Sequence, residues 1–103
     1  MTVAPEILQR LQQHFHDVIR ERAGELVDEA GIALPQLEEL LDRPGHEGWF
    51  PVPGMYGGFH YVLKEADADL KLICASWCRV EDGSGMRHEI TVDGARLVDQ
   101  GFV

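Results

Sequence analysis

Two cysteines and five histidines are the residues of this 103-residue chain best suited to nucleophilic or metal chemistry. Cys78 and His88 lie on either side of the stretch Glu-Asp-Gly-Ser-Gly at 81–85, whose composition predicts a β-hairpin turn. If that turn centres on Gly83, Cys78 lies opposite His88 and both side chains share one face of the sheet. A thiol beside an imidazole can act as a nucleophile with its general base, or supply half of a metal site.

A catalytic pair and a metal site would each need further side chains beside Cys78 and His88, and the predicted sheet supplies none. A catalytic pair needs a third group that orients the base, and Glu89, which follows His88, is expected on the opposite face. Cys74 lies four residues before Cys78 in the same predicted strand, about 13 Å away, which is too far for a shared zinc ion or a disulfide. We therefore predict two buried thiols that pack as small hydrophobic groups, with no metal and no cofactor, and with Cys78 and His88 as the only catalytic candidates.

Residues 43–58 alternate prolines and glycines with aromatic side chains. This composition predicts a loop, with a short edge strand at 49–52. The glycine cluster at 54–58 precedes a predicted strand and lacks a Gly-Lys-Ser/Thr sequence, so it does not indicate a phosphate-binding loop. Trp49, Tyr56 and His60 are instead candidate lining residues of a small ligand pocket beside the sheet. The sequence also leaves open a contact between His60 and Cys74.

The first third of the chain has the apolar period of a helix over residues 5–30. Pro5 suits the first helical turn, and Gly31 suits a left-handed C-terminal cap. Gly24 lowers the helix propensity of the middle by about 1 kcal/mol relative to Ala, which favours a kink there. A second, short helix is predicted over 35–42, ended by the Arg-Pro-Gly sequence at 43–45.

From Phe59 onwards the apolar period changes from that of a helix to the two-residue period of strands. Strands are predicted at 59–64, 70–80, 86–92 and 96–103, with turns at 66–69, 81–85 and 93–94. The longest nearly unbroken apolar run, residues 70–80, predicts the central strand. Short connections favour an antiparallel meander, so we expect one α+β domain over residues 1–103, with two N-terminal helices packed on four or five antiparallel strands.

The central strand carries large apolar residues at positions expected on both faces of the sheet. Ile73 and Trp77 alternate with the predicted core residues, and a sheet that is apolar on both faces requires cover on both. The helices can cover one face. The aromatic loop, a second subunit or another protein would cover the other, which makes Ile73 and Trp77 candidate interface residues. Three residues of the first strand would join one face or the other, depending on the register of the first hairpin: Phe59, Tyr61 and Leu63.

The net negative charge of the chain disfavours partners that are themselves negatively charged. Eighteen acidic residues against nine basic ones give a formal net charge of -9, which disfavours nucleic acid and acidic membrane surfaces. The first residues show no signal-peptide pattern, and no apolar run reaches the roughly 18 residues of a membrane span. We therefore expect a cytoplasmic protein with reduced thiols.

These observations predict a small acidic cytoplasmic domain that acts by protein–protein interaction or homodimerisation, without evident catalytic activity. The alternative is a small-molecule-binding protein or enzyme with a pocket between residues 44–58 and the sheet, using Cys78 and His88. A thiol that reacts well below the usual pKa of about 8.5 would favour the alternative.

Overall fold

A computed structural model of the chain describes residues 4–53, 57–66, 69–79, 84–91 and 94–101. A long helix α1 (Pro5–Ala30) is followed by two short 3₁₀ segments, Leu37–Asp42 and Pro44–His46. Five strands then form one antiparallel sheet in chain order: β1 (Glu47–Pro51), β2 (Gly58–Ala66), β3 (Asp69–Arg79), β4 (Ser84–Thr91) and β5 (Gly94–Gly101). The predicted α+β fold with an antiparallel sheet is confirmed. Within the described ranges, no helix has the length and hydropathy needed to cross a membrane.

Helix α1 begins and ends where its sequence signals predict. Pro5 lies in the first turn, and Gly31 caps the C-terminus with φ of 63°, in the left-handed region. The apolar stripe packs on the sheet and is buried along most of its length, at Leu11, Phe15, Val18, Ile19, Ala23 and Val27. Burial of this stripe accounts for most of the helix's stability, because isolated helices are marginal in water.

A break interrupts α1 one residue before Gly24. Ala23 has non-helical dihedral angles, φ of -145° and ψ of 21°. The low helix propensity of glycine explains why the break occurs here and not in the Leu- and Gln-rich first half. The predicted kink is therefore present, displaced by one residue.

The predicted second helix is a 3₁₀ segment, and it begins at Leu37 instead of Pro35. Its two buried residues, Leu37 and Leu40, are three positions apart, which matches the three-residue repeat of a 3₁₀ helix. Tertiary hydrogen bonds hold the segment and its flanks. The Leu37 amide donates to Gln12 Oε1 over 2.9 Å, and His16 Nε2 donates to the Pro35 carbonyl over 2.7 Å.

The register of the first hairpin shows which face of the sheet Phe59, Tyr61 and Leu63 occupy. Tyr61 pairs with Cys74 and Leu63 pairs with Leu72. Phe59, Tyr61 and Leu63 are all buried beneath α1, so they do not share the face of Ile73. His60 pairs with Ala75 and not with Cys74, so the contact between His60 and Cys74 that the sequence left open is not formed.

The register predicted for the second hairpin is wrong. His88 pairs with Cys74, and Cys78 lies within an irregularity between Trp77 and Arg79. Arg79 pairs with Ser84, so Ser84 and Gly85 belong to β4 and not to the turn, and residues 80–83 lie outside the described residues. The predicted face of His88 is correct despite the different register, because His88 is buried among the core residues of the sheet. The tips of the other predicted turns, residues 67–68 and 92–93, also lie outside the described residues.

Candidate functional site

One face of the sheet packs on α1 and the other, which we call the open face, is at least partly exposed. Period-two alternation sends successive side chains of each strand to opposite faces. The described open-face residues, glycines aside, are those of β1 to β4 that alternate with the buried ones: Glu47, Trp49, Pro51, His60, Val62, Lys64, Lys71, Ile73, Arg87, Glu89 and Thr91. Every one of these is exposed or half-buried, so the described part of the open face has solvent beside it.

Trp49 is the most conspicuous side chain of this face. Among the described residues it is the one large hydrophobic side chain that is exposed, at 47%. The strand register places it directly opposite His60, whose Nε2 lies 3.3 Å from Glu47 Oε2. An indole beside an imidazole–carboxylate pair can contact both apolar and polar groups of a partner, as tryptophans at interfaces do.

A charged cluster lies on the adjacent strands of the open face. Glu89 Oε1 accepts from Arg87 Nη2 over 2.9 Å, and its Oε2 lies 3.7 Å from Lys71 Nζ. The Glu89 side chain is only 19% exposed, so these two cations shield it from water. Such partly exposed ion pairs add little stability. Their effect is to hold charges of both signs at defined positions on the face.

Apolar side chains lie between Trp49 and this charged cluster. Val62 pairs with Ile73, and Ile73 pairs with Glu89 across the next strand. Val62 and Ile73 are both half-buried. Ile73, one of the predicted interface residues, thus lies on the open face. Trp77, the other, pairs with Gly85 through its backbone, and its side chain lies outside the description.

The three predicted pocket residues are only partly described. Trp49 and His60 are brought side by side, on the open face. Tyr56 lies outside the described residues. The pocket between residues 44–58 and the sheet therefore stays a prediction, supported by the adjacency of two of its three proposed lining residues.

The predicted catalytic candidates are not brought together by the strand register. His88 pairs with Cys74 on β3 and with Leu97 on β5, whereas Cys78 lies four residues beyond Cys74. His88 is 5% exposed, and its Nε2 is buried without a hydrogen-bond partner among the described atoms. The side chains of the two cysteines lie outside the description, so two buried thiols stay the prediction and a reactive Cys78 stays its alternative.

The environment of His88 favours the neutral imidazole. Burial lowers the pKa of His88 below its usual 6.5, and the nearby Arg22 guanidinium lowers it further, while the Glu21 carboxylate opposes this shift. Arg22 extends from α1 towards the sheet, with Nη1 3.8 Å from Met86 Sδ. Arg22 was not among the predicted site residues, although its spacing is a signal: it is four residues after Val18 and four before Leu26, within the apolar stripe of α1.

No cluster of three or more His, Cys, Asp or Glu side chains with the spacing of a metal site occurs within the described ranges. The described clusters are the open face, with its exposed tryptophan and paired charges, and the buried surroundings of His88. The first can contact a macromolecule, whereas in the second the His88 side chain itself is buried. No protein-family model, curated protein or solved structure matches this chain. Function must therefore be inferred from the chemistry of these two places.

Proposed function

We propose that this protein is a non-enzymatic cytoplasmic binding protein that acts through the open face of its sheet, and that its partner there is a second copy of the same chain. The exposure of Trp49 carries this proposal. An indole that is half in water, on the same face of the sheet as the half-buried Val62 and Ile73, is the kind of apolar group that a protein interface covers.

The distribution of charge favours a second copy. The chain as a whole has a formal net charge of -9, so most surfaces of two copies repel each other. Among the described open-face residues, Lys64, Lys71 and Arg87 offset Glu47 and Glu89, which leaves the described part of this face close to neutral. A face that carries both signs can pair with itself across a two-fold axis, because each cation can meet a carboxylate of the partner.

The dimensions of the molecule are also sufficient. Its principal extents are 40 × 29 × 25 Å, so its broad side exceeds the roughly 800 Å² that each partner buries in an interface of standard size.

The test compares the wild-type chain with Trp49→Glu and Ile73→Arg by native mass spectrometry and sedimentation equilibrium. We expect a wild-type dimer, and a loss of about 30-fold or more in dimer affinity for Trp49→Glu, because tryptophan is among the residues that contribute most to interface energies. Gln9→Glu is the matched control, since it adds the same charge at an exposed position of α1. It should change dimer affinity by less than about threefold.

A wild-type chain that stays monomeric at millimolar concentration would contradict the proposal. So would a dimer that Trp49→Glu leaves unchanged while the variant remains folded. The second candidate function, a small-molecule site, is favoured by the adjacency of Trp49 to the His60–Glu47 pair. Its signature in the same spectra is a monomer that carries an additional organic mass, lost on denaturation and absent from Trp49→Ala.

A further inference from the structure

We propose that His60 and Glu47 on the open face form half of a zinc site, and that a second copy of the chain supplies the other half across the two-fold axis of the proposed dimer. This site rests on the proposed function, because a second copy must lie on the open face to complete it. An imidazole and a carboxylate from each chain then hold one Zn²⁺ per dimer. Both groups are ligands that zinc takes in proteins.

The spacing of the two side chains suits a tetrahedral zinc ion. His60 Nε2 lies 3.3 Å from Glu47 Oε2. Two ligand atoms that each lie about 2.0–2.1 Å from a tetrahedral zinc are about 3.3–3.4 Å apart, so one zinc ion can contact both atoms with little movement of either side chain. Zinc takes the neutral imidazole and the ionised carboxylate, so binding would displace a proton shared between the two atoms.

Two paired strands hold these side chains in place. Trp49 pairs with His60, and Glu47 pairs with Val62, so His60 and Glu47 are diagonal neighbours on one face of the β1–β2 ladder. Ligands on strands are positioned more precisely than ligands on loops. The sequence predicts no metal, because it does not show that β1 brings Glu47 beside His60.

The pair is accessible to a second molecule and is incomplete without one. The side chains of His60 and Glu47 are 45% and 59% exposed. Within the described ranges, no third His, Cys, Asp or Glu joins them as a metal ligand, so two of the four positions of a tetrahedral zinc are left for another chain. Trp49, which the second copy is proposed to cover, lies directly opposite His60. A dimer that covers Trp49 therefore brings another chain to this pair.

The distribution of charge also favours a cation between the two copies. Each chain has a formal net charge of -9, and a divalent cation offsets the repulsion between two carboxylates that meet at the axis. The cations of the open face lie elsewhere. Arg87 is two strands from His60 through Ala75, about 10 Å away, and its guanidinium is held by Glu89. Lys64 is four residues from His60 along β2, about 13 Å away.

Sedimentation equilibrium of the full chain in EDTA and in zinc chloride tests the site. In EDTA we expect the metal-free dimer of the proposed function. When free zinc is 100 times its dissociation constant from the dimer, the dimer dissociation constant should fall about 100-fold, because two ligands hold zinc far more weakly than four. Native mass spectrometry should show one zinc per dimer. X-ray absorption should show nitrogen and oxygen ligands at about 2.0–2.1 Å, without the distance of about 2.3 Å typical of a thiolate.

Four variants locate the zinc ligands. His60→Gln and Glu47→Gln should each abolish most of the zinc effect, while their dimers in EDTA stay within about fivefold of wild type, since an exposed ion pair contributes little. His14→Gln and Glu38→Gln are the matched controls. They remove a histidine from α1 and a carboxylate from the first 3₁₀ segment, away from the open face, and should keep the full zinc response.

The two solutions separate failure of the zinc site from failure of the dimer. A dimer in EDTA that zinc does not tighten would overturn the site and leave the proposed function intact. So would a zinc effect that persists in both His60→Gln and Glu47→Gln, or sulfur ligands in the absorption spectrum. A dimer that forms only in zinc, and is lost in His60→Gln, would support the site and contradict the metal-free dimer. A chain that is monomeric in both solutions would contradict both proposals.

Discussion

At the scale of single residues, Gly48 shows how an absent side chain shapes the core. It pairs with Tyr61 on the neighbouring strand, and the Tyr61 ring packs against Phe15 with centroids 4.7 Å apart. A Cβ atom at position 48 would lie 2.7 Å from Tyr61 Cζ and 3.0 Å from Leu40 Cδ2. Because both neighbours are buried, neither can move aside without disturbing the packing beneath α1.

Gly48→Ala should therefore lower the free energy of unfolding by about 1–3 kcal/mol, the usual cost of overpacking a core. Urea unfolding monitored by circular dichroism measures this change. Gly24→Ala is the matched control, because its Cβ would have its nearest neighbour at 3.8 Å. That variant should be as stable as the wild type or more stable, by up to about 1 kcal/mol. Equal stability of Gly48→Ala and wild type would show that the Tyr61 ring can move.

His88 should make the stability of the whole fold depend on pH. Its pKa in the folded chain is lowered from 6.5, so between that lowered value and 6.5 the unfolded chain binds more protons than the folded one. The free energy of unfolding should fall as pH decreases through this window, by at most about 1.4 kcal/mol per pH unit from this residue. Above pH 6.5 the contribution should be constant.

Urea unfolding at pH 7.5, 6.5 and 5.5 for the wild type and His88→Gln isolates this contribution. The stability of the wild type relative to His88→Gln should decrease on acidification, since the other histidines titrate in both chains. A relative stability that increases towards pH 5.5 would mean that His88 gains a partner for its charged form, contrary to its surroundings in the structure.

At the scale of elements, the C-terminal end of α1 depends on the left-handed conformation of Gly31, the residue that caps it. Gly31 adopts φ of 63°, and its amide donates to the Val27 carbonyl over 3.0 Å. This closes the last turn and directs the chain towards the first 3₁₀ segment. Residues with a Cβ atom are strained at such a φ, and asparagine less so than most.

Gly31→Ala should destabilise the chain by about 1 kcal/mol, and Gly31→Asn by less than Gly31→Ala. Thermal unfolding of the two variants beside the wild type provides the comparison. No atom lies within 4 Å of the position of an added Cβ, so any loss reports backbone strain and not a steric clash. If Gly31→Ala unfolds at the same temperature as the wild type, the left-handed cap does not limit stability.

At the scale of the whole molecule, net charge should oppose self-association. Two chains that each carry a formal charge of -9 repel each other over the Debye length, which is about 30 Å at 0.01 M salt and about 10 Å at 0.1 M. The partly exposed ion pairs of the open face offset little of this repulsion, because each is worth at most about 1 kcal/mol.

Raising sodium chloride from 0.02 to 0.5 M should therefore tighten the proposed dimer by about threefold to tenfold. Sedimentation equilibrium at several salt concentrations gives the dissociation constants. Lys71→Gln, which removes one open-face cation, should shift the constants without changing the sign of the salt dependence. A dimer that weakens with salt would indicate that charge pairs across the interface outweigh the net repulsion.

The sequence by itself determined the parts of this protein that depend on local preference. Helix α1 has its predicted bounds, 5–30, because an apolar period, an initial proline and a terminal glycine all act within a few residues of each other. The β-period from Phe59 predicted the antiparallel meander for the same reason, and the alternation of β4 placed His88 on the buried face. Trp49 and His60 were recognisable as candidates, although their location beside each other on an open surface was not.

Tertiary structure alone decided how these elements align. Alternation assigns a residue to a face but leaves the register undetermined, so Cys78 was predicted opposite His88 where the fold places Cys74. Because the register was undetermined, the burial of Phe59, Tyr61 and Leu63 could not be predicted. The ion pairs of Glu89 with Lys71 and Arg87 could not be predicted for the same reason. The short second helix became a 3₁₀ segment because Gln12 and His16 hold its start against α1. Each outcome depends on atoms distant in the chain that only folding brings together.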